Sequence, residues 1–270
     1  MAVLTHACAF DTYNPSNNQL SIPSVNVGGL NYNNVVVTLS NVISVGTSGQ
    51  ASQSAEGFWV GSTSNGYSLS TLVLENNEFW SFIGMQSNGV YSVLAFDRGA
   101  FSMSGANGIN FFKEYYADYT SLLGYGTGSL IENTAINGMS YVGTSPAVKT
   151  MLTPINNASY VYSKNSDLTD VSGNWGASSL AGSPTNISIT PLGVLAGSAA
   201  NCIFSGTLKS RPSGKNVFDV TINNGVSCRA SGLKQTGVAI SYMSTNGKNQ
   251  FVIAFVDEAQ KMGELFLVQR

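Results

Sequence analysis

One short motif occurs twice in this chain and constrains its fold more than any other feature. Residues 57–62 read Gly-Phe-Trp-Val-Gly-Ser, and residues 173–178 read Gly-Asn-Trp-Gly-Ala-Ser. Each copy leads into a small and polar stretch, then an alternating apolar run: Leu72 and Leu74 in the first, Ile187 and Ile189 in the second. A turn follows (Asn76-Asn77-Glu78, then Pro191-Leu192-Gly193), and a new strand opens. Apolar residues at every second position stand on one face of a β-strand. Two copies of a strand–turn–strand unit predict an all-β architecture built from related halves, with Trp59 and Trp175 each anchoring a strand in core.

The rest of the chain keeps the same rhythm. Turn signals at Asn65-Gly66, Asn76-Asn77, Ser87-Asn88-Gly89 and Asn137-Gly138 separate short apolar runs. Further strands follow to the C-terminus, among them 201–208, 216–222, 226–231 and the alternating Glu264–Arg270. Such spacing predicts an antiparallel β-barrel or sandwich. Residues 109–119 depart from it. Phe112, Tyr115, Tyr116 and Tyr119 stand at helical spacing, which predicts one short helix covering an end of the β structure. The expected organisation is an N-terminal β-hairpin segment (1–48), a linker (49–56), and a barrel or sandwich (57–270) made of two halves, 57–145 and 171–270.

The hairpin has its own pattern. Leu20, Ile22, Val25 and Val27 alternate, and Val35, Val37 and Leu39 alternate again beyond Gly28-Gly29 and Asn33-Asn34. Pro23 marks an edge or a bulge. A lone hairpin is marginal in water and needs something to pack on. A neighbour's sheet edge is one such surface, with main-chain bonds carrying the affinity. These seven residues are the predicted assembly strands.

Only 10% of the 270 residues are charged, against about 25% in an average globular domain, and the net charge is −2. No basic patch stands out, which excludes nucleic acid as a partner. No stretch approaches the roughly 18 apolar residues of a membrane span. Met1–Phe10 lacks the basic start and apolar run of a secretory leader, so the reading is that a native leader is missing from this sequence. Polarity comes from Ser, Thr, Asn and Gly, a composition that suits extracellular or cell-surface β-proteins. Of the three cysteines, Cys202 and Cys228 are read as a disulfide in that setting, the alternative being two buried free thiols. Cys8 is left over. Thr5-His6-Ala7 before it is a poor match to a lipid-anchor site.

Catalytic constellations are missing. The one histidine, His6, lies near the N-terminus, so a triad or a zinc site of the usual kind has no partner for it. Ser231 and Lys234 match S-x-x-K, but in a turn and not at a helix start. The acids Glu56, Glu75, Glu78, Asp97, Glu114 and Asp118 are scattered. Glu114 and Asp118, four apart on the expected helix, read as a solvated face. Asn157 and Asn186 begin glycosylation-type sequons. No catalytic, cofactor-binding or metal-ligating residue is assigned, no cofactor is expected, and the chain is read as non-enzymatic.

The second half resembles a pattern of bacterial secreted proteins and surface lipoproteins. Its elements are Gly173-Asn174-Trp175, Ile187–Ile189, Gly193, Cys202-Ile203-Phe204-Ser205-Gly206, Asn216-Val217-Phe218-Asp219-Val220, Cys228 and the terminal Arg270. The resemblance extends over residues 55–270 and implies a lipocalin-like or transferrin-binding-protein-like antiparallel barrel, with the tryptophan at the barrel floor. Such a fold names no substrate. The functional expectation is an extracellular structural or adhesive protein, a subunit of a surface fibre or matrix that assembles by strand addition with copies of itself or another surface protein. One alternative is a lipocalin-like carrier of a small apolar ligand, lined by Trp59, Phe79, Trp80, Phe82, Phe111, Phe112, Tyr115 and Tyr116. Another is a partner-binding surface lipoprotein.

Overall fold

The computed structural model describes residues 12–14, 19–27, 30–38, 53–87, 90–156, 159–243 and 249–269. Residues Met1–Gln50 form one compact unit and Ala51–Arg270 another. In the first unit, β1 (Thr12–Asn14), β2 (Gln19–Val27) and β3 (Leu30–Thr38) form an antiparallel sheet in that order. Leu20 stands opposite Val37, Ile22 opposite Val35, Val25 opposite Tyr32 and Val27 opposite Leu30. The register continues across Pro23. Leu39 and Cys8 lie outside the described residues.

The second unit holds two barrels. The strands β4 (Gly57–Thr63), β5 (Ser68–Val73), β6 (Glu78–Ser87) and β7 (Val90–Ser104) run up and down. The meander continues through β8 (Asn107–Tyr116), β9 (Ser121–Ile131), β10 (Ala135–Val142) and β11 (Val148–Pro154). Each pairs antiparallel with the next, and β11 pairs back onto β4. A 3-10 turn at Leu168–Asp170 leads into the second barrel. It begins with β12 (Gly173–Ser179), β13 (Pro184–Ile189), β14 (Val194–Ala199) and β15 (Cys202–Ser210). It ends with β16 (Phe218–Asn224), β17 (Lys234–Met243), β18 (Asn249–Asp257) and β19 (Gly263–Gln269), and β19 closes on β12. Each half thus closes on itself, and closure removes the exposed sheet edges. No helix among the described residues is long and apolar enough to cross a membrane.

The doubled motif is a structural repeat. Gly57 and Gly173, Trp59 and Trp175, and the starts of β4 and β12, β5 and β13, and β6 and β14 correspond at one constant offset. The Trp59 indole N–H donates to the Ala55 carbonyl at 2.8 Å, and that of Trp175 to the Val171 carbonyl at 2.9 Å. Each indole therefore ties the inside of a barrel to the chain entering it. Gly57 and Gly173 have φ of 142° and 130°, a conformation open to glycine and closed to most residues with a Cβ, which is why the motif begins with Gly.

The offset also corrects the matching of the apolar runs. Thr71 and Val73, not Leu72 and Leu74, are the counterparts of Ile187 and Ile189. On β13 only alternate residues are buried, whereas β5 is buried on both faces, so its inward and outward residues look equally apolar in sequence. Leu72 and Leu74 join Phe58, Trp80, Phe82, Phe96 and Tyr115 in a core shared by the two barrels. The second barrel contributes Val238, Ile240, Tyr242, Val252, Ala254, Leu265 and Leu267 to it, and the connection contributes Tyr160 and Tyr162. The Phe58 ring lies 5.0 Å from Tyr160 and 4.9 Å from Tyr242.

Two local expectations fail. Residues 109–119 are not a helix: β8 runs through Tyr116, paired on both sides with β7 and β9. Aromatic residues on both faces, one set toward the lumen and one toward the shared core, imitate helical spacing. Residues 226–231 are turns, not a strand. Within them Cys228 is bonded to Cys202 across a sequence separation of 26, which pins the β16–β17 connection to the start of β15. Replacing both cysteines by Ser is expected to cost about 3 kcal/mol in the chain-entropy account, read as a lower denaturation midpoint of the second barrel.

Candidate functional site

The two barrels share a plan and differ inside. In the second barrel, the register row that starts at Trp175 continues through Ile187, Gly197 and Phe204 to Asn224. A Cβ on Gly197 would meet the Phe204 ring at 2.3 Å, so the ring lies flat over the glycine. Phe218, Phe251, Phe255 and Phe266 complete an apolar core.

The equivalent row of the first barrel is polar. Trp59 pairs with Thr71, Thr71 with Ser81, Ser81 with Asp97, and Asp97 with Glu114. The Thr71 and Ser81 hydroxyls lie 2.8 Å apart and hydrogen-bond. Asp97 and Glu114 face each other across β7 and β8, and their carboxyls hydrogen-bond. Two carboxyl groups do so only by sharing a proton. Tyr116 is next on the same face of β8, and its hydroxyl favours the charged form of Glu114 against burial. Asp97 is only 8% exposed. Burial, and then the neighbouring Glu114, pushes its carboxyl well above the usual carboxylate range, and burial raises Glu114 as well. Asp97 Oδ1 is buried with no hydrogen-bond partner, and so is Asn110 Oδ1 on β8. An orphaned buried acceptor costs about 1–3 kcal/mol.

Beside this row lies a cavity of about 230 Å³ inside the barrel. It exists because β9 turns glycines inward at Gly124, Gly126 and Gly128. A Cβ on Gly124 would meet the Phe112 ring at 2.4 Å, and one on Gly126 would meet Asn110 Oδ1 at 2.3 Å. Phe112 and Asn110 therefore lie over their register partners Gly124 and Gly126, as Phe204 lies over Gly197 in the second barrel, and β9 itself puts no side chain there. Toward the Trp59 end the walls are apolar, with Phe79, Phe101, Phe112, Leu130, Ile136 and Leu152. Toward the other end they carry Thr63, Asn65, Tyr67 and Tyr116.

The structure divides the residues singled out in sequence. Trp59, Phe79, Phe112 and Tyr116 face this lumen, while Trp80, Phe82 and Tyr115 belong to the shared core and Phe111 is exposed. Trp175 is the counterpart of Trp59 inside the second barrel. Glu114 and Asp118 do not share a face: Asp118 sits in the turn after β8 and accepts from the Thr120 N–H at 2.9 Å. Glu56, Glu75 and Glu78 pair with Lys215, Arg211 and Arg98 at 2.6, 2.8 and 2.9 Å. Ser231 lies in the turn ahead of β17, and Asn186 is exposed on β13. No group of three or more potential metal ligands occurs among the described residues. The Asp97–Glu114 pair escapes a sequence reading because 109–119 has helical spacing. Taken with period two, Asn110, Phe112, Glu114 and Tyr116 share one face, and that signal finds it.

No family model matches the chain, and no curated protein matches it. Among solved structures it is similar to the Aeromonas veronii immune modulator A, at 8% identity and a TM-score of 0.35, over 82% of this chain and 97% of that one. At that score the likeness bears on neither fold nor function. Antiparallel barrels are thus present, two where the sequence resemblance implied one, and no match ties the chain to the lipocalins or the transferrin-binding proteins.

The raised carboxyl of Asp97 has a consequence for stability. A folded-state pKa above the unfolded value makes the folded protein hold a proton that the unfolded chain has released. Stability from this group is full below the unfolded carboxylate range and declines as pH rises toward the folded value. Asp97→Asn removes that penalty. The variant is expected to unfold later than the parent at neutral pH, with the gain shrinking as pH falls toward about 4. Paired denaturant titrations across pH check it.

Proposed function

We propose that this protein is a non-enzymatic, extracellular binding protein whose first barrel carries a small, largely apolar molecule. One observation carries the reading: the same register row is filled by Ile187 and Phe204 in one barrel, and is polar and beside a cavity in the other. Eight-stranded barrels hold either their own side chains or one small ligand. Apolar walls with a few convergent polar groups are the usual make-up of a ligand site. The Cys202–Cys228 disulfide supports an oxidising, extracellular setting.

The lumen's inventory supports binding over catalysis. Its titratable groups are the Asp97–Glu114 pair and tyrosines, with no histidine or cysteine among the described lining residues. Glycosidases need their carboxyls about 5–9.5 Å apart, whereas these two hydrogen-bond directly. Hexanol, small and mostly apolar, is the first probe. It is expected to shift amide resonances of β4–β11 and to leave those of the packed second barrel unchanged. Ile83→Trp, at a lining position on β6, is expected to fill the space and abolish the shifts. Shifts that survive this substitution, or that appear only outside the first barrel, contradict the reading.

A second reading rests on the N-terminal unit. It is a separate three-stranded sheet, and among the described residues β3 is bonded on one side only, to β2. Such an edge suits strand addition to another copy of the chain or to another surface protein, as in a fibre or matrix subunit. On this reading Leu20, Ile22, Val25, Val27, Val35 and Val37 lie on the pairing strands. The intact chain is then expected to form large species in light scattering at high concentration, and deletion of residues 1–48 to abolish them. A chain that stays monomeric throughout rules this reading out.

A further inference from the structure

We infer that the first barrel selects an organic monocation, a small alkyl or aryl ammonium whose nitrogen sits on the Asp97–Glu114 pair and whose apolar body points toward Phe79, Phe101 and Phe112. This rests on the carrier reading of the lumen and names its ligand class.

Three independent features of the lumen point to it. First, two acids meet there, and no Lys, Arg or His is among the described residues that line it. The nearby cations point elsewhere: Arg98 bonds Glu78 on the outside of the barrel, and Lys113 donates to the Gln260 carbonyl in the second barrel. Second, Asp97 is more than nine-tenths buried, yet its Oδ1 has no partner, and Asn110 Oδ1 is a second orphaned acceptor on the next strand. Thr71 and Ser81 already bond each other. The unmet need in this lumen is for hydrogen-bond donors and positive charge, and an ammonium group brings three donors and one charge. Third, a cavity adjoins the pair, lined on β9 by Gly126 and Gly128. At roughly 30 Å³ per water-sized group, it takes about eight non-hydrogen atoms.

The surroundings choose among cations. Calcium wants about six to eight oxygen ligands, which a carboxyl pair amid phenylalanines does not supply. An anionic ligand would meet the two acids and is rejected. A neutral alcohol fits the apolar part and leaves the acidic pair without a counter-charge. Binding proceeds by exchange: the proton shared by Asp97 and Glu114 leaves to solvent, and the ammonium takes its place.

Hexylamine, hexanol and hexanoate have one chain length and differ in head group, which makes them the test set, read by calorimetry and amide shifts on the full chain at neutral pH. Hexylamine is expected to bind at least tenfold more tightly than hexanol, and hexanoate not to bind. Asp97→Asn combined with Glu114→Gln is expected to remove the hexylamine preference while hexanol still binds, which also reports that the variant is folded. Asp97→Asn alone is expected to weaken hexylamine by a smaller factor. If hexanol binds in the lumen as tightly as hexylamine, or hexylamine affinity survives the double substitution, the cation assignment is overturned while the carrier reading stands. If none of the three binds the lumen, both fall.

Discussion

An eight-stranded barrel encloses a space that its own inward side chains can just fill, and this protein meets that constraint in two ways. The second barrel meets it with phenylalanines laid over glycines, as Phe204 lies over Gly197. The first leaves the space open. Phe112 lies over Gly124 in the same way, but Gly126 and Gly128 line an open space, and Thr71, Ser81, Asp97 and Glu114 hold a polar row beside it. Natural interiors are close-packed, and voids and orphaned acceptors both lower stability. The second barrel also keeps an orphaned acceptor, Gln250 Oε1 on β18, but the first combines two of them with an open lumen, which stability alone does not favour.

The packing between the barrels accounts for how the first one tolerates this. Its β5 strand and the β18 strand of the second are buried on both faces, so each helps form a barrel interior and the shared core at once. Phe58, Trp80, Phe96 and Tyr115 pack outward against Ile240, Val252 and Leu265. Lys113 and Tyr115 both donate to the Gln260 carbonyl, at 2.8 and 3.2 Å. Much of the apolar burial that holds the first barrel thus lies on its outside. Its inside is correspondingly less constrained and free to be polar.

Low charge has a local expression: β4 and β5, which send Phe58, Val60 and Leu72 to the shared core, carry no ionisable side chain. Glu75 pairs across elements with both Arg211 and Tyr162, and Asp257 and Glu264 accept from backbone N–H groups. Asp97 and Glu114 instead face each other. Asp97 stands at the register position that Phe204 takes in the second barrel, and Glu114 at that of Asn224.

Turn chemistry and alternation announce an antiparallel all-β chain, the doubled Gly-x-Trp announces a repeat, and Cys202 with Cys228 announces a disulfide. These are local signals, set by backbone sterics and period, and they are legible without knowledge of neighbours. Three things are not legible in that way: that β8 is a strand, that Leu72 and Leu74 face outward while Thr71 and Val73 face in, and that Asp97 and Glu114 meet. All three depend on which face of a strand is buried, and a strand buried on both faces carries no alternation to read. The sequence by itself determined the strands, the turns and the repeat. Only the tertiary structure decided which barrel is full and which is hollow, because a cavity is made by side chains from strands far apart in the chain, and period alone does not bring them together.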